Sequence, residues 1–141
     1  MVIMGVDLGK ARTGLAICDR AEMLAVPLCV VEEHNRERLI DKIAEKAAES
    51  KAELLVVGLP KNMDGSEGES AVSARETAAL LAEKTKLPIE LCDERGTTIT
   101  AHNYLNETNT RGKKRKAAVD AVAATVILQN HLDKRRHNRQ K

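Results

Sequence analysis

Apolar residues gather in five short runs, at 2–8, 13–18, 24–31, 53–58 and 88–92. Runs of this length bounded by polar or turn-like residues suit buried strands. Only such short stretches separate the first three, which predicts a three-stranded meander. Elsewhere the spacing is helical. Leu39, Ile40, Ile43, Ala44 and Ala47 share one face of a helix predicted over 36–50. Ser70 can cap a second helix reaching about residue 86, with Ala74, Ala78 and Leu81 on one face. Thr97 or Thr98 can start a short helix through Leu105. A last helix runs from 115 to about 134 and carries the apolar stretch 117–128. Residues 61–69 and 106–112 read as polar loops.

The order β-β-β-α-β-α-β-α-α predicts an α/β fold: a five-stranded mixed sheet, its first three strands a meander, with helices on both faces. No linker, repeat or low-complexity stretch divides the chain, so residues 1–141 form one domain with a basic tail from about 134. In open sheets of this kind, sites lie beyond the carboxyl ends of the parallel strands. Asp7, the loop after Pro60 and the pair Asp93-Glu94 all fall at such ends.

Composition narrows the chemistry. Tyr104 is the one aromatic residue, so bases have no stacking platform, and a nucleic acid would be held through its phosphates and shape. Cys18, Cys29 and Cys92 are scattered through apolar runs without a C-x-x-C pair, which suits reduced thiols in a cytoplasmic protein. The chain enters its first strand without a signal peptide and has no run of transmembrane length, so no membrane partner is expected. The net charge of +2 hides an asymmetry: residues 1–110 carry −6 and residues 111–141 carry +8. A basic end on an acidic body suits a polyanionic partner, although the last residues would also read as a solvated tail.

Several carboxylates interrupt this pattern. Asp7 ends a strand of apolar residues and glycines, where an ionised group needs a cation or strong donors. It could also simply accept N–H bonds from the Gly9 turn. Asp120 breaks the run 117–124, and its helical neighbours include Ala117, Ala123 and Ala124. An ion pair with Lys116 is its plain structural alternative. The small neighbours would let the helix approach the sheet closely. Asp93 and Glu94 close the fifth strand; because successive residues alternate faces, only one of them can share a face with Asp7. Pattern alone leaves that choice open.

Carboxylates from strand ends and a helix suit hard cations such as Mg²⁺ or Mn²⁺. Two such ions about 4 Å apart can activate water and stabilise the leaving oxygen in phosphodiester hydrolysis. His34, His102, His131 and His137 stand at no zinc spacing and read as surface residues. Lys113, Lys114, Arg115 and Lys116 cluster where the last helix begins. Cations there oppose the helix dipole, so binding to phosphates is a better reason for them than stability.

Together, Gly5-Val6-Asp7-Leu8-Gly9, Val57-Gly58-Leu59-Pro60, Asn62-Met63-Asp64-Gly65-Ser66-Glu67-Gly68, Asp93-Glu94-Arg95 with Thr97-Thr98, and Lys114-Arg115-Lys116 through Asp120 resemble the YqgF family of RuvC-like proteins. The likeness runs from residue 3 to about 133; Gly96 departs from it, standing where a larger apolar residue is expected. The resemblance implies a ribonuclease H-like fold. It also implies a metal-dependent nuclease maturing the 5′ end of pre-16S ribosomal RNA, working as a monomer or homodimer. Among the carboxylates it implies Asp7, Glu94 and Asp120 as catalytic acids and metal ligands, favouring Glu94 over Asp93. A Holliday-junction resolvase acting on branched DNA would share fold and metals. A non-catalytic ribosome-assembly factor would have little use for three acids. Half of an actin-like ATPase or sugar kinase fits the GVDLG string, but such proteins need a second related domain.

Overall fold

The computed structural model describes residues 1–9, 11–60, 64, 66–93 and 113–139, without the side chains of 113–120 and 139. Five strands, β1 (Ile3–Asp7), β2 (Arg12–Cys18), β3 (Ala25–Glu32), β4 (Leu54–Leu59) and β5 (Ile89–Asp93), form one sheet in the order β3-β2-β1-β4-β5. The first three pair antiparallel as a meander; β1 pairs parallel with β4, and β4 with β5. The mixed sheet expected from periodicity is therefore present, with β1 at its centre. The short helix expected after Thr97 and the loop 106–112 lie outside the described residues.

Strand alternation divides the core in two. Met4, Val6, Leu15, Leu55 and Val57 point to the face covered by α1 (Arg36–Glu49) and α2 (Glu69–Thr85), where Leu39, Ile43, Ala78 and Leu81 meet them. Ile3, Ala16, Leu54 and Val56 point to the opposite face, covered by α3 (Lys113–Arg139) through Ala124, Ile127, Leu128 and Leu132. Burying both faces explains why the central strands read as continuous apolar runs.

Local chemistry sets the helix ends. Asn35 caps α1 by accepting from the Arg38 N–H at 3.0 Å. The second helix starts one residue before the expected Ser70 cap: Gly68, in extended conformation, takes the cap position without a side-chain bond. The last helix departs more from expectation. It begins at Lys113 and continues to Arg139, beyond the expected end near 134. Its extra turns are tied to the body: Arg135 Nε lies 2.6 Å from the buried carboxylate of Glu22, and Arg136 pairs with Asp133.

α3 runs antiparallel to β1. Glu22 holds both Arg135, near the helix C-terminus, and the Met1 ammonium, just before β1. Further back along the helix, Leu128 and Ala124 lie over Gly5. A Cβ at Gly5 would stand 2.9 Å from Leu128 Cβ and 3.0 Å from the Ala124 carbonyl oxygen. Glycine in the strand and alanine in the helix thus permit the close approach that the small neighbours of Asp120 suggested.

Candidate active site at the carboxyl edge of the sheet

Asp7 is the last residue of β1, opposite Gly14 in the β2 register. It is half-buried, and alternation puts it with Ile3 and Gly5 on the α3 face. The Ala124–Leu128 stripe of α3, continued one turn towards the helix N-terminus, reaches position 120. Four helical residues advance about 6 Å and two strand residues about 6.6 Å. From their shared crossing at Gly5, helix and strand therefore keep step towards Asp120 and Asp7. The backbone of Asp120 belongs to α3, and its side chain is outside those described.

Asp93 is the last residue of β5 and pairs in register with Leu59. Its face follows from its neighbours. Cys92 is buried in the α3-side core, and Glu90 reaches His131 of α3 at 2.8 Å. Leu91 and Asp93 accordingly belong to the α1/α2 side, opposite Asp7. Glu94, Arg95 and Gly96 lie outside the described residues. Lys113, Lys114, Arg115 and Lys116 form the first turn of α3, again without described side chains. Among the described residues no three His, Cys, Asp or Glu side chains gather closely enough to hold a metal. Of the three expected acids, only Asp7 has a described side chain.

The polar loop after β4 joins this edge, and its described part is internally braced. The Asp64 carboxylate accepts from the Ser66 N–H at 2.9 Å and from the Ser66 hydroxyl at 2.6 Å. Glu67 accepts both arms of the Arg75 guanidinium, at 2.7 and 2.9 Å, which ties the loop to the second turn of α2.

Two other expectations meet the structure. Cys18 and Cys92 are buried and Cys29 half-buried, and the three form no disulfide; burial raises the Cys18 and Cys29 pKa values. The surface reading holds for His34 and His137 but not for His131, whose side chain is 13% exposed between α3 and β5; His102 is outside the described residues. Sequence reading also missed a cleft of about 340 Å³ at the same sheet edge, on the α1/α2 side beside Leu8 and Gly9. Its walls come from separate stretches of the chain, from Leu8 to Thr77, so no local pattern announced it.

A fold with this meander, parallel pair and closely laid C-terminal helix is that of the RuvC-like, ribonuclease H-like proteins. Thermus thermophilus RuvC, solved in complex with a Holliday junction, superposes with a TM-score of 0.62 at 16% identity, over 97% of this chain and 96% of that one. Fowlpox virus resolvase, solved with Holliday junction DNA, gives 0.56 at 9% identity, over 95% and 98%. The chain belongs to the family described as "RuvX: Holliday junction resolvase", whose model matches residues 1–134. Relatives named "Putative pre-16S rRNA nuclease" include one from Anaeromyxobacter sp. (strain Fw109-5), 47% identical over 96% of this chain and 98% of its own length. Another, from Clostridium botulinum (strain Alaska E43 / Type E3), is 40% identical over 95% and 98%.

Proposed function

We propose that this chain is a metal-dependent endonuclease that hydrolyses phosphodiester bonds in 5′-end maturation of pre-16S ribosomal RNA. Asp7, Glu94 and Asp120 are its catalytic acids and metal ligands, and Lys113, Lys114, Arg115 and Lys116 bind substrate phosphates. The observation that carries this reading is Asp7, half-buried at the carboxyl end of the central strand and on the face covered by α3. Asp93 belongs to the other face, which supports Glu94, the member of the pair that the family resemblance favours.

The donor set fits hard divalent cations. All three groups are carboxylates, and the close approach of α3 to the sheet at Gly5 and Ala124 supports a site shared between them. When bound, Mg²⁺ or Mn²⁺, as a pair of ions, supplies a water nucleophile at neutral pH and neutralises charge on the leaving oxygen. The chain's own part is positional. The central strand fixes Asp7, α3 carries Asp120, and the basic first turn of α3 neutralises phosphates flanking the scissile one. Such a substrate puts the protein in the cytoplasm. No helix among the described residues is long and apolar enough to cross a membrane.

The decisive assay is cleavage of a 5′-extended rRNA precursor with Mg²⁺ or Mn²⁺, with and without EDTA, beside a synthetic four-way DNA junction. Metal-dependent cutting of the precursor alone is the expected result. The family's description favours a second reading, resolution of branched DNA. Symmetric cutting of the junction by a stable dimer, with the RNA intact, would establish that reading instead. Failure to cut either substrate would return the chain to a binding role in ribosome assembly.

A further inference from the structure

The cleft at the sheet edge has a lining with a definite chemistry. Its floor is apolar, from Leu8, Leu39, Pro60 and Ala74. One wall is the first three turns of α2, which present Ser70, Ser73 and Thr77 at helical spacing. Thr77 is only 4% exposed, yet among the described residues nothing hydrogen-bonds its hydroxyl. Other helical threonines here return their hydroxyls to the carbonyl one turn back: Thr85 to Leu81 at 2.7 Å and Thr125 to Ala121 at 2.8 Å. The Thr77 hydroxyl is therefore left to the cleft, which Thr77 lines.

The charge balance argues against a bare anion there. Arg36 is already shared between Glu76, at 3.1 Å, and the Ser73 hydroxyl, at 3.0 Å. Glu33 and Glu69 add carboxylates to the rim, and Glu33 is paired with Lys42 at 3.0 Å. An apolar floor with hydroxyls and carboxylates around it suits a flat, polar-edged group that presents donors. A volume of about 340 Å³ is at the small end of ligand sites. That is room for one nucleotide unit, not for a duplex.

We propose that this cleft receives one unpaired nucleoside of the substrate strand. The base lies against Leu8, Leu39 and Pro60, and its polar edge meets Thr77, Ser73 and the rim carboxylates. The proposal rests on the nuclease reading and adds a subsite to it. Leu8 and Gly9 line the cleft, and Asp7 is the next residue back along the chain. A strand bent over the sheet edge would therefore hold its scissile phosphate on the α3 side and a neighbouring base on the α1/α2 side. Carboxylates at the rim accept from exocyclic amino groups, so AMP, CMP and GMP should bind better than UMP.

The test is an NMR titration of the full chain in EDTA with the four nucleoside monophosphates, ribose 5-phosphate and inorganic phosphate. Mononucleotides should shift the amide signals of Leu8, Ser73 and Thr77, while the two base-free probes should not. Thr77→Val, which removes the hydroxyl and keeps the shape, should weaken binding about three- to tenfold; Thr77→Ser should restore it. If Thr77→Val fails to fold, the exposed Ser73→Ala serves in its place. Asp7→Asn should bind mononucleotides as the parent does. In the cleavage assay, Thr77→Val should raise KM and leave kcat. Equal binding of inorganic phosphate would make the cleft a plain anion site and overturn the proposal, as would no mononucleotide binding by an enzyme that cuts precursor RNA. Mononucleotide binding by a protein that cuts no nucleic acid would overturn the nuclease reading and, with it, the cleft's role as a substrate subsite.

Discussion

Asp7 holds its position because its neighbours can go nowhere else: Val6 is fully buried in one core, and Gly5 is pressed beneath α3. Asp7→Asn keeps that shape and removes the charge. It should abolish metal-dependent cleavage, by more than about a hundredfold, since even groups that merely orient a metal ligand cost about 10–100-fold when removed. Circular dichroism should stay as in the parent, and thermal stability should hold or rise as carboxylate repulsion is relieved. Full activity in the folded variant would remove Asp7 from the site. The same face logic ranks two adjacent acids. Glu94→Gln should be far more damaging than Asp93→Asn in a matched cleavage assay, because Asp93 lies with Leu91 on the side of the sheet away from Asp7. The reverse order would mean that the metal site is built on the other face.

At the scale of elements, much was legible and for identifiable reasons. Strands buried on both faces write themselves as apolar runs, so 2–8 and 53–58 gave β1 and β4 within a residue or two. The C-terminal end of α3 was not legible, because what holds it is a long-range tie between Arg135 and Glu22 rather than a local pattern. The site was legible only in part. Asp7 stands out as a charge in an apolar strand, but the face of Asp93 depends on the β4–β5 register, which no single stretch encodes. The crossing of α3 over β1 also carries a prediction. Gly5→Ala would push a methyl group to 2.9 Å from Leu128 Cβ and 3.0 Å from the Ala124 carbonyl oxygen. The overpacking should cost about 1–3 kcal/mol in urea unfolding. Activity should fall with it, because the helix bearing Asp120 must shift outward; an unchanged midpoint would show that the crossing is looser than this. His131 marks where α3 meets β5. Burial, the largest influence, lowers its pKa, and Arg135 and Lys134 push the same way against Glu90 and Glu22. The unfolded chain therefore takes up a proton before the folded one as pH falls. Stability should be intact above the ordinary histidine pKa of about 6.5 and decline below it. His131→Gln should flatten that decline in denaturant titrations at stepped pH.

Across the whole molecule, charge is divided along the chain. The acidic body, −6 over residues 1–110, includes the carboxyl edge of the sheet, and the +8 of residues 111–141 rides on or next to α3. That excess is not all available to a partner: Arg135 and Arg136 are engaged by Glu22 and Asp133. The run Lys113, Lys114, Arg115 and Lys116 opens the same helix that carries Asp120, one to two turns further along. Cations at a helix N-terminus work against its dipole, so a structural reason for four in succession is weak. Replacing all four with Ala should leave the fold intact, weaken binding of precursor RNA and slow the chemical step much less, because none of them is a metal ligand or a plausible general base. The signature is in the salt dependence. For every phosphate no longer neutralised, the plot of log affinity against log salt should flatten by about 0.7 on single strands. Lys116 stands four residues before Asp120 and could influence its carboxylate, so Lys113→Ala and Lys114→Ala are the cleaner single changes. If the quadruple variant binds precursor RNA with the parent's affinity and slope, the first turn of α3 is only a solvated helix start, and the strand is held elsewhere along the sheet edge.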